Sequence, residues 1–172
     1  MDKISDIYHD AMADPTLLSM IDVDKLLEKI EGEENHYLEN KTLAKISKDI
    51  FDAIAELNVD TELAQYYCRH LAGHRYVERI CDLKNGKHTR WIRRPTSSKT
   101  SDMMDKKSLT NGGLLVNVKI ENSGVHLLCR RAMNRIFTVK FDDCLIFQKL
   151  SMEEQLVIMS YDYIENDDSS TK

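Results

Sequence analysis

The sequence predicts an α+β fold: N-terminal helices, an antiparallel β-sheet or small open barrel, and a closing C-terminal helix. Three observations lead there. Apolar residues recur at helical spacing through the first seventy positions, as in Leu43, Ile46, Ile50, Ile54 and Leu57. From Leu114 onward the period changes to two, with Val116, Val118 and Ile120 alternating with Asn117, Lys119 and Glu121. After Leu150 helical spacing returns.

Taken in order, residues 1–73 form an acidic helical region. Ile4, Ile7, Tyr8 and Ala11 share one side of a short helix that stops at Asp14-Pro15, and Asp22 caps a segment carrying Leu26, Leu27 and Ile30 up to Gly32. The Leu43–Leu57 seam predicts an amphipathic helix that covers the core or pairs with a second subunit. Asp60 or Thr61 caps the next helix, through Leu63, Tyr66, Tyr67 and Leu71, and Gly73 ends it.

Residues 74–150 form a basic β region. Between Arg75 and Arg94, two β-rich runs flank Asn85-Gly86, the dipeptide that suits a type I′ turn. This predicts a hairpin pairing Asp82 with Thr89, Ile80 with Trp91 and Glu78 with Arg93. Residues 95–113, with Pro95, mixed Ser, Thr, Lys and Asp, and a terminal Gly-Gly, read as a mobile loop. Asn122-Ser123-Gly124 then turns the chain into VHLLCRR, and RIFTVKF follows as the next strand of a meander. CLIFQKL is a mostly apolar strand, suited to a central place or to closing a barrel. Ser151 and Glu154 make a capping box for a helix over 151–164, and 165–172 reads as an acidic, frayed tail.

The net charge of −5 conceals a division. Residues 1–66 hold 6 Lys+Arg and 16 Asp+Glu, residues 67–150 hold 17 and 7, and residues 151–172 hold 1 and 6. A basic middle between acidic ends suits a polyanion-facing module, or charge pairing within or between subunits. The candidate nucleic-acid-binding residues are Lys87, Arg90, Arg93 and Arg94 on the hairpin and Arg130, Arg131 and Arg135 around a second turn. Trp91 is placed to stack on a base. Contacts of this kind read phosphates of DNA or RNA with little sequence preference.

No nucleophile elbow, phosphate-binding glycine loop or metal signature accompanies these residues, so the expectation is a non-enzymatic protein without a cofactor. Cys68, His70, His74, Cys81 and His88 gather around one junction, but the close Cys pair that opens most zinc motifs is missing, and no structural zinc is expected. The four cysteines fit reduced thiols of a cytosol-like compartment. No apolar run reaches membrane-spanning length, and the N-terminus lacks the pattern of a secretion signal. A second reading is a dimeric structural or adaptor protein, a homodimer that recruits a protein partner, which the resemblance described next would make a host or viral protein.

Gly73, Asp82-Leu83, Gly86, Arg90-Trp91-Ile92, Gly112-Gly113 and FTVKFDDCLIFQKL together resemble a family of short uncharacterised proteins of large double-stranded DNA viruses, including those of amoebae. The resemblance covers about residues 70–164. It implies a viral protein, carried in the virion or acting around a cytoplasmic virus factory, and brings no functional residues with it.

Overall fold

The most apolar strand, Cys144–Lys149, is the one around which the sheet assembles, and five of its six residues are buried. In the computed structural model, residues 37–39, 41–94, 108–131 and 134–169 are described, with side chains to 162. The chain divides into two units, Met1–Glu39 and Asn40–Lys172. The expected helices before residue 37 and most of the 95–113 loop lie outside the described residues.

Within the second unit the elements run α1 (Leu43–Ala55), α2 (Thr61–His70), β1 (His74–Val77), β2 (His88–Arg93), β3 (Gly113–Glu121), β4 (Gly124–Arg130), β5 (Ile136–Lys140), β6 (Cys144–Lys149) and α3 (Met152–Ser169). The fold is α+β, with one six-stranded antiparallel sheet in the order β1-β6-β2-β3-β4-β5.

The helices start where the sequence offers caps. Thr42 Oγ1 accepts from Lys45 N at 3.2 Å and Asp60 Oδ1 from Leu63 N at 2.7 Å. Ser151 and Glu154 form the reciprocal capping box, Glu154 N donating to Ser151 Oγ and Ser151 N to Glu154 Oε2. Leu43 N, an unsatisfied donor in the first turn of α1, donates to Asp162 Oδ2 of α3 at 3.1 Å. The backbone of α3 continues to Ser169, past the end expected at 164. Once a helix is nucleated each added residue brings its own backbone hydrogen bond, so the helix outlasts its apolar face.

Ile46, Ile50, Ile54 and Leu57 are buried, and α1 packs on α2 and β1. The seam that offered a subunit-pairing surface is therefore used inside the chain. Leu43, at its start, is exposed.

The expected hairpin does not form. β1 and β2 never pair, because β6 lies between them: Val77 and Trp91 both face Ile146, and Tyr76 and Arg90 both face Phe147. An apolar strand such as β6 needs cover on both faces and neighbours on both edges, and it outcompetes a local ladder that leaves it at an edge. Residues 78–87 become a crossover containing a short 3₁₀ turn at Ile80–Asp82. Gly86 alone has positive φ (+80°), so the turn is not type I′. Gln148, buried on β6, fastens this crossover. Its amide donates to Lys84 O and Thr89 Oγ1, and its Oε1 accepts from Lys84 N and Arg75 Nη2.

A second correction concerns β3. A bulge between Leu115 and Asn117 shifts the register, so Leu115 before it and Val118 after it face the core while Val116 is exposed. Ile120 shares the face of Val118 but stands near the end of the strand, where it is exposed.

The sheet is curled. Lys140 and Cys144 are separated by four residues, which reach at most about 14 Å. A flat sheet would put β5 four strand spacings from β6, about 19 Å. Curling brings Trp91 of β2 onto Phe137 of β5, with ring centroids 5.3 Å apart. The enclosed core draws Val77, Trp91, Leu115, Leu127, Cys129, Val139, Cys144 and Ile146 from all six strands.

Candidate nucleic-acid interface and a basic recess

The eight basic-module residues separate into buried, engaged and exposed groups. Trp91 is only 4 % exposed and packs on Phe137, so it has no open face for a base and leaves the candidate set. Its backbone is clasped from outside: Trp91 N donates to Thr110 Oγ1, and Thr110 N and Oγ1 both donate to Trp91 O. The end of the expected mobile loop is thus fixed along β2.

Lys87 is committed to structure. Its Nζ sits 2.5 Å from Glu154 Oε2 at the start of α3, and Glu154 is 5 % exposed. Arg90 is half-buried and spends two nitrogens on carbonyls, Nε on Thr110 O at 2.8 Å and Nη1 on His70 O at 2.7 Å. Arg94 lies 3.7 Å from Glu56 at the C-cap of α1 and donates to Tyr76 Oη.

Arg93, Arg130, Arg131 and Arg135 are exposed. Arg131 donates through Nε to Gly112 O, and its guanidinium lies 5.0 Å over the Phe137 ring. Arg93 projects from the same face of β2 as Trp91, two residues on. The Trp91–Phe137 contact therefore sits between the arginines of β2 and those around the β4–β5 turn. Beside it, Arg93, Arg94 and Lys140 line a groove of about 300 Å³ together with Thr138, Val139, Asp143 and Cys144. Lys140 Nζ is 3.9 Å from Asp143 in that groove.

A different cluster forms at the other end of β2. His74, His88, Arg90, Asn111 and Lys149 line a recess of about 460 Å³. Alternation puts Arg90 and His88 on the face opposite Trp91, and the His74–Lys149 pairing of β1 with β6 brings those two beside them. The imidazoles of His74 and His88 stand edge to face, 6.4 Å apart. His74 is 7 % exposed; its Nδ1 lies 3.3 Å from Ala72 O, and its Nε2 is buried with no partner. A carbonyl only accepts, so Nδ1 carries the proton and a neutral His74 presents a bare Nε2 acceptor. Burial lowers the pKa of both histidines, and the basic neighbours Arg90 and Lys149 lower them further.

Among the described residues no three His, Cys, Asp or Glu side chains come together as a metal site. Of the Cys and His residues at the junction, His74 and His88 meet, Cys81 is exposed, and His70 stacks on Tyr66 with centroids 4.0 Å apart. Cys129 and Cys144 are buried, and burial pushes both thiols up to about 11. No described helix is long and apolar enough to cross a membrane.

The recess was hidden from the sequence because His74 joins it through register with Lys149, seventy-five positions away. The visible signal was the period-two placement of His88 and Arg90. Comparison with protein-family models, curated proteins and solved structures gave no match.

Proposed function

We propose that this chain is a non-enzymatic nucleic-acid-binding protein that grips phosphates at the rim of its curled sheet, with little sequence preference. The viral setting implied by the resemblance belongs to the same proposal. The observation that carries it is the state of three side chains: Arg93, Arg130 and Arg135 are exposed and make no ion pair with any described carboxylate. Guanidinium groups held on strands and their connections, without an acidic partner among the described residues, suit a sequence-tolerant phosphate surface. With Trp91 inside the core, the reading rests on phosphate contacts, and base stacking has no part in it. Subunit pairing through the Leu43–Leu57 seam is left out, since three of its isoleucines and Leu57 are buried in the chain's own core.

The test is fluorescence anisotropy with a 5′-hydroxyl single strand and a duplex across a salt series. Log affinity should fall linearly with log salt, and the combined Arg93→Ala, Arg130→Ala, Arg135→Ala variant should bind more weakly with a shallower slope. Absence of binding at low salt refutes the proposal.

A further inference from the structure

The recess at the His88 end of β2 lies away from Arg93, although Arg130 stands two strands over, opposite the Leu114 that pairs with His88. Five residues divide His88 from Arg93, about 17 Å of strand, and the two lie at opposite ends of β2. Among the described residues its lining holds two imidazoles, a guanidinium, an ammonium and an amide, and no carboxylate. The floor is His74, with Nε2 buried and unpartnered, while His88 and Lys149 are exposed at the mouth. A buried polar atom left without a partner is costly, and a ligand atom seated at Nε2 would relieve that cost.

We propose that this recess binds a phosphate monoester, held by Arg90, Lys149 and Asn111 and sharing one proton with His74 Nε2. Two features select this ligand. Arg90 is oriented by the His70 and Thr110 carbonyls through Nη1 and Nε, which leaves Nη2 unengaged by either and the planar group fixed in place. His74 Nε2 is a bare acceptor when neutral and a donor when protonated, so it matches a ligand whose own proton comes off near neutral pH. A phosphate monoester has a second pKa near 6, whereas an internal phosphodiester has no proton to share there. The proton therefore lies between Nε2 and a phosphate oxygen, and binding takes up a proton wherever free His74 is neutral and the free phosphate dianionic.

The charged and titratable groups acting on His74 come from two strands: His88 and Arg90 on β2, and Lys149 on β6. α2 contributes to the recess only indirectly, through the His70 carbonyl on Arg90. All three neighbours disfavour an imidazolium, and a bound dianion reverses that balance. The site stands on its own geometry and does not depend on the rim binding nucleic acid.

The experiment follows the imidazole proton resonances of the full chain by NMR while inorganic phosphate is added at constant ionic strength, with chloride as the control. His126, on β4 and bonded to Ser123, serves as the internal reference. Phosphate should shift His74 and His88 saturably and raise the His74 titration midpoint by about one unit, a tenfold coupling of phosphate to proton. Lys149→Glu, an exposed change that leaves the core intact, should abolish the response. His74 moving no more than His126, or an unchanged response in Lys149→Glu, overturns the proposal. Oligonucleotides with a 5′-phosphate or a 5′-hydroxyl then identify the source. Tighter binding of the phosphorylated strand, lost in Lys149→Glu, assigns the monoester to a strand end. Equal binding, with inorganic phosphate still moving His74, assigns it to a small phosphorylated molecule, and either result supports the site. Loss of 5′-hydroxyl binding in Arg93→Ala, at the far end of β2, reports on the rim alone.

Discussion

The indole of Trp91 and the ring of Phe137 meet with centroids 5.3 Å apart, although β3 and β4 separate their strands. The contact needs the absence of a side chain at Gly113. A Cβ there would stand 3.0 Å from Phe137 Cζ and 2.9 Å from Arg130 O. Gly113→Ala is expected to destabilise the protein by about 1–3 kcal/mol, read as a lower urea midpoint. Adding Phe137→Leu should recover only the part due to the ring, because the Arg130 carbonyl is backbone and cannot move aside.

Trp91→Ala separates structure from stacking. The side chain fills the enclosed core, so truncation should cost about 3–5 kcal/mol. Nucleic-acid affinity per folded molecule, measured by anisotropy below the unfolding midpoint, should stay unchanged. A large loss of affinity without loss of stability would return Trp91 to the binding surface.

Lys87 and Arg93 were equal candidates on charge alone, and the structure predicts opposite phenotypes for them. Lys87→Ala removes the partner of Glu154 at the start of α3 and should lower stability by roughly 1–3 kcal/mol while leaving the salt slope of nucleic-acid binding intact. Arg93→Ala should leave the melting temperature unchanged and reduce the slope by about 0.7–0.9, the lower figure for a single strand.

Stability should fall as the solution is acidified through the histidine range. His74 and His88 have pKa values lowered by burial first, then by basic neighbours, so between those values and 6.5 the unfolded chain binds more protons than the folded one. Their neutral forms therefore support the fold fully above 6.5, and that support is lost as pH drops toward the folded values. Urea unfolding at stepped pH should show this loss, and His74→Phe, where it folds, should flatten it.

Thiol chemistry should sort three of the four cysteines. Cys81 is exposed, whereas Cys129 and Cys144 are buried with thiols pushed up to about 11. Alkylation of the native protein near neutral pH should label Cys81 well before Cys129 and Cys144, which should react only on unfolding. Mass spectrometry of the labelled peptides checks the order.

Local signals in the sequence were read correctly wherever the structure is itself local. The caps at Asp60 and Ser151, the left-handed Gly73, the meander β3–β4–β5 and the inward set Phe137 and Val139 follow from neighbours a few positions apart. The hairpin failed because its rival lay more than fifty positions downstream: β2 pairs from Thr89 with Gln148 to Arg93 with Cys144. No turn dipeptide reveals that competition. Val116 was misplaced for a smaller reason, a single bulged residue that exchanges the two faces of β3. Ile120, on the face of Val118, is exposed near the end of the strand. In the candidate site, charge drew attention to the arginines, but burial decided among them. Arg90 and Arg93 look alike in sequence, yet one braces two carbonyls and the other meets solvent.

The place of β6 also dictates when the protein can fold during synthesis. β1 and β2 are made early, but β1 finds its strand partner, and β2 its longer one, in Cys144–Lys149, which is polymerised after every other strand. Until that segment clears the ribosome, β1 has no strand beside it in the sheet and β2 has only its short pairing with β3. At about 5–20 residues per second, the interval between β2 and β6 is several seconds, long compared with the formation of a hairpin. The nascent chain spends that interval with incomplete strand edges, and a polypeptide stopped before Cys144 should be retained by chaperones or lost to proteolysis.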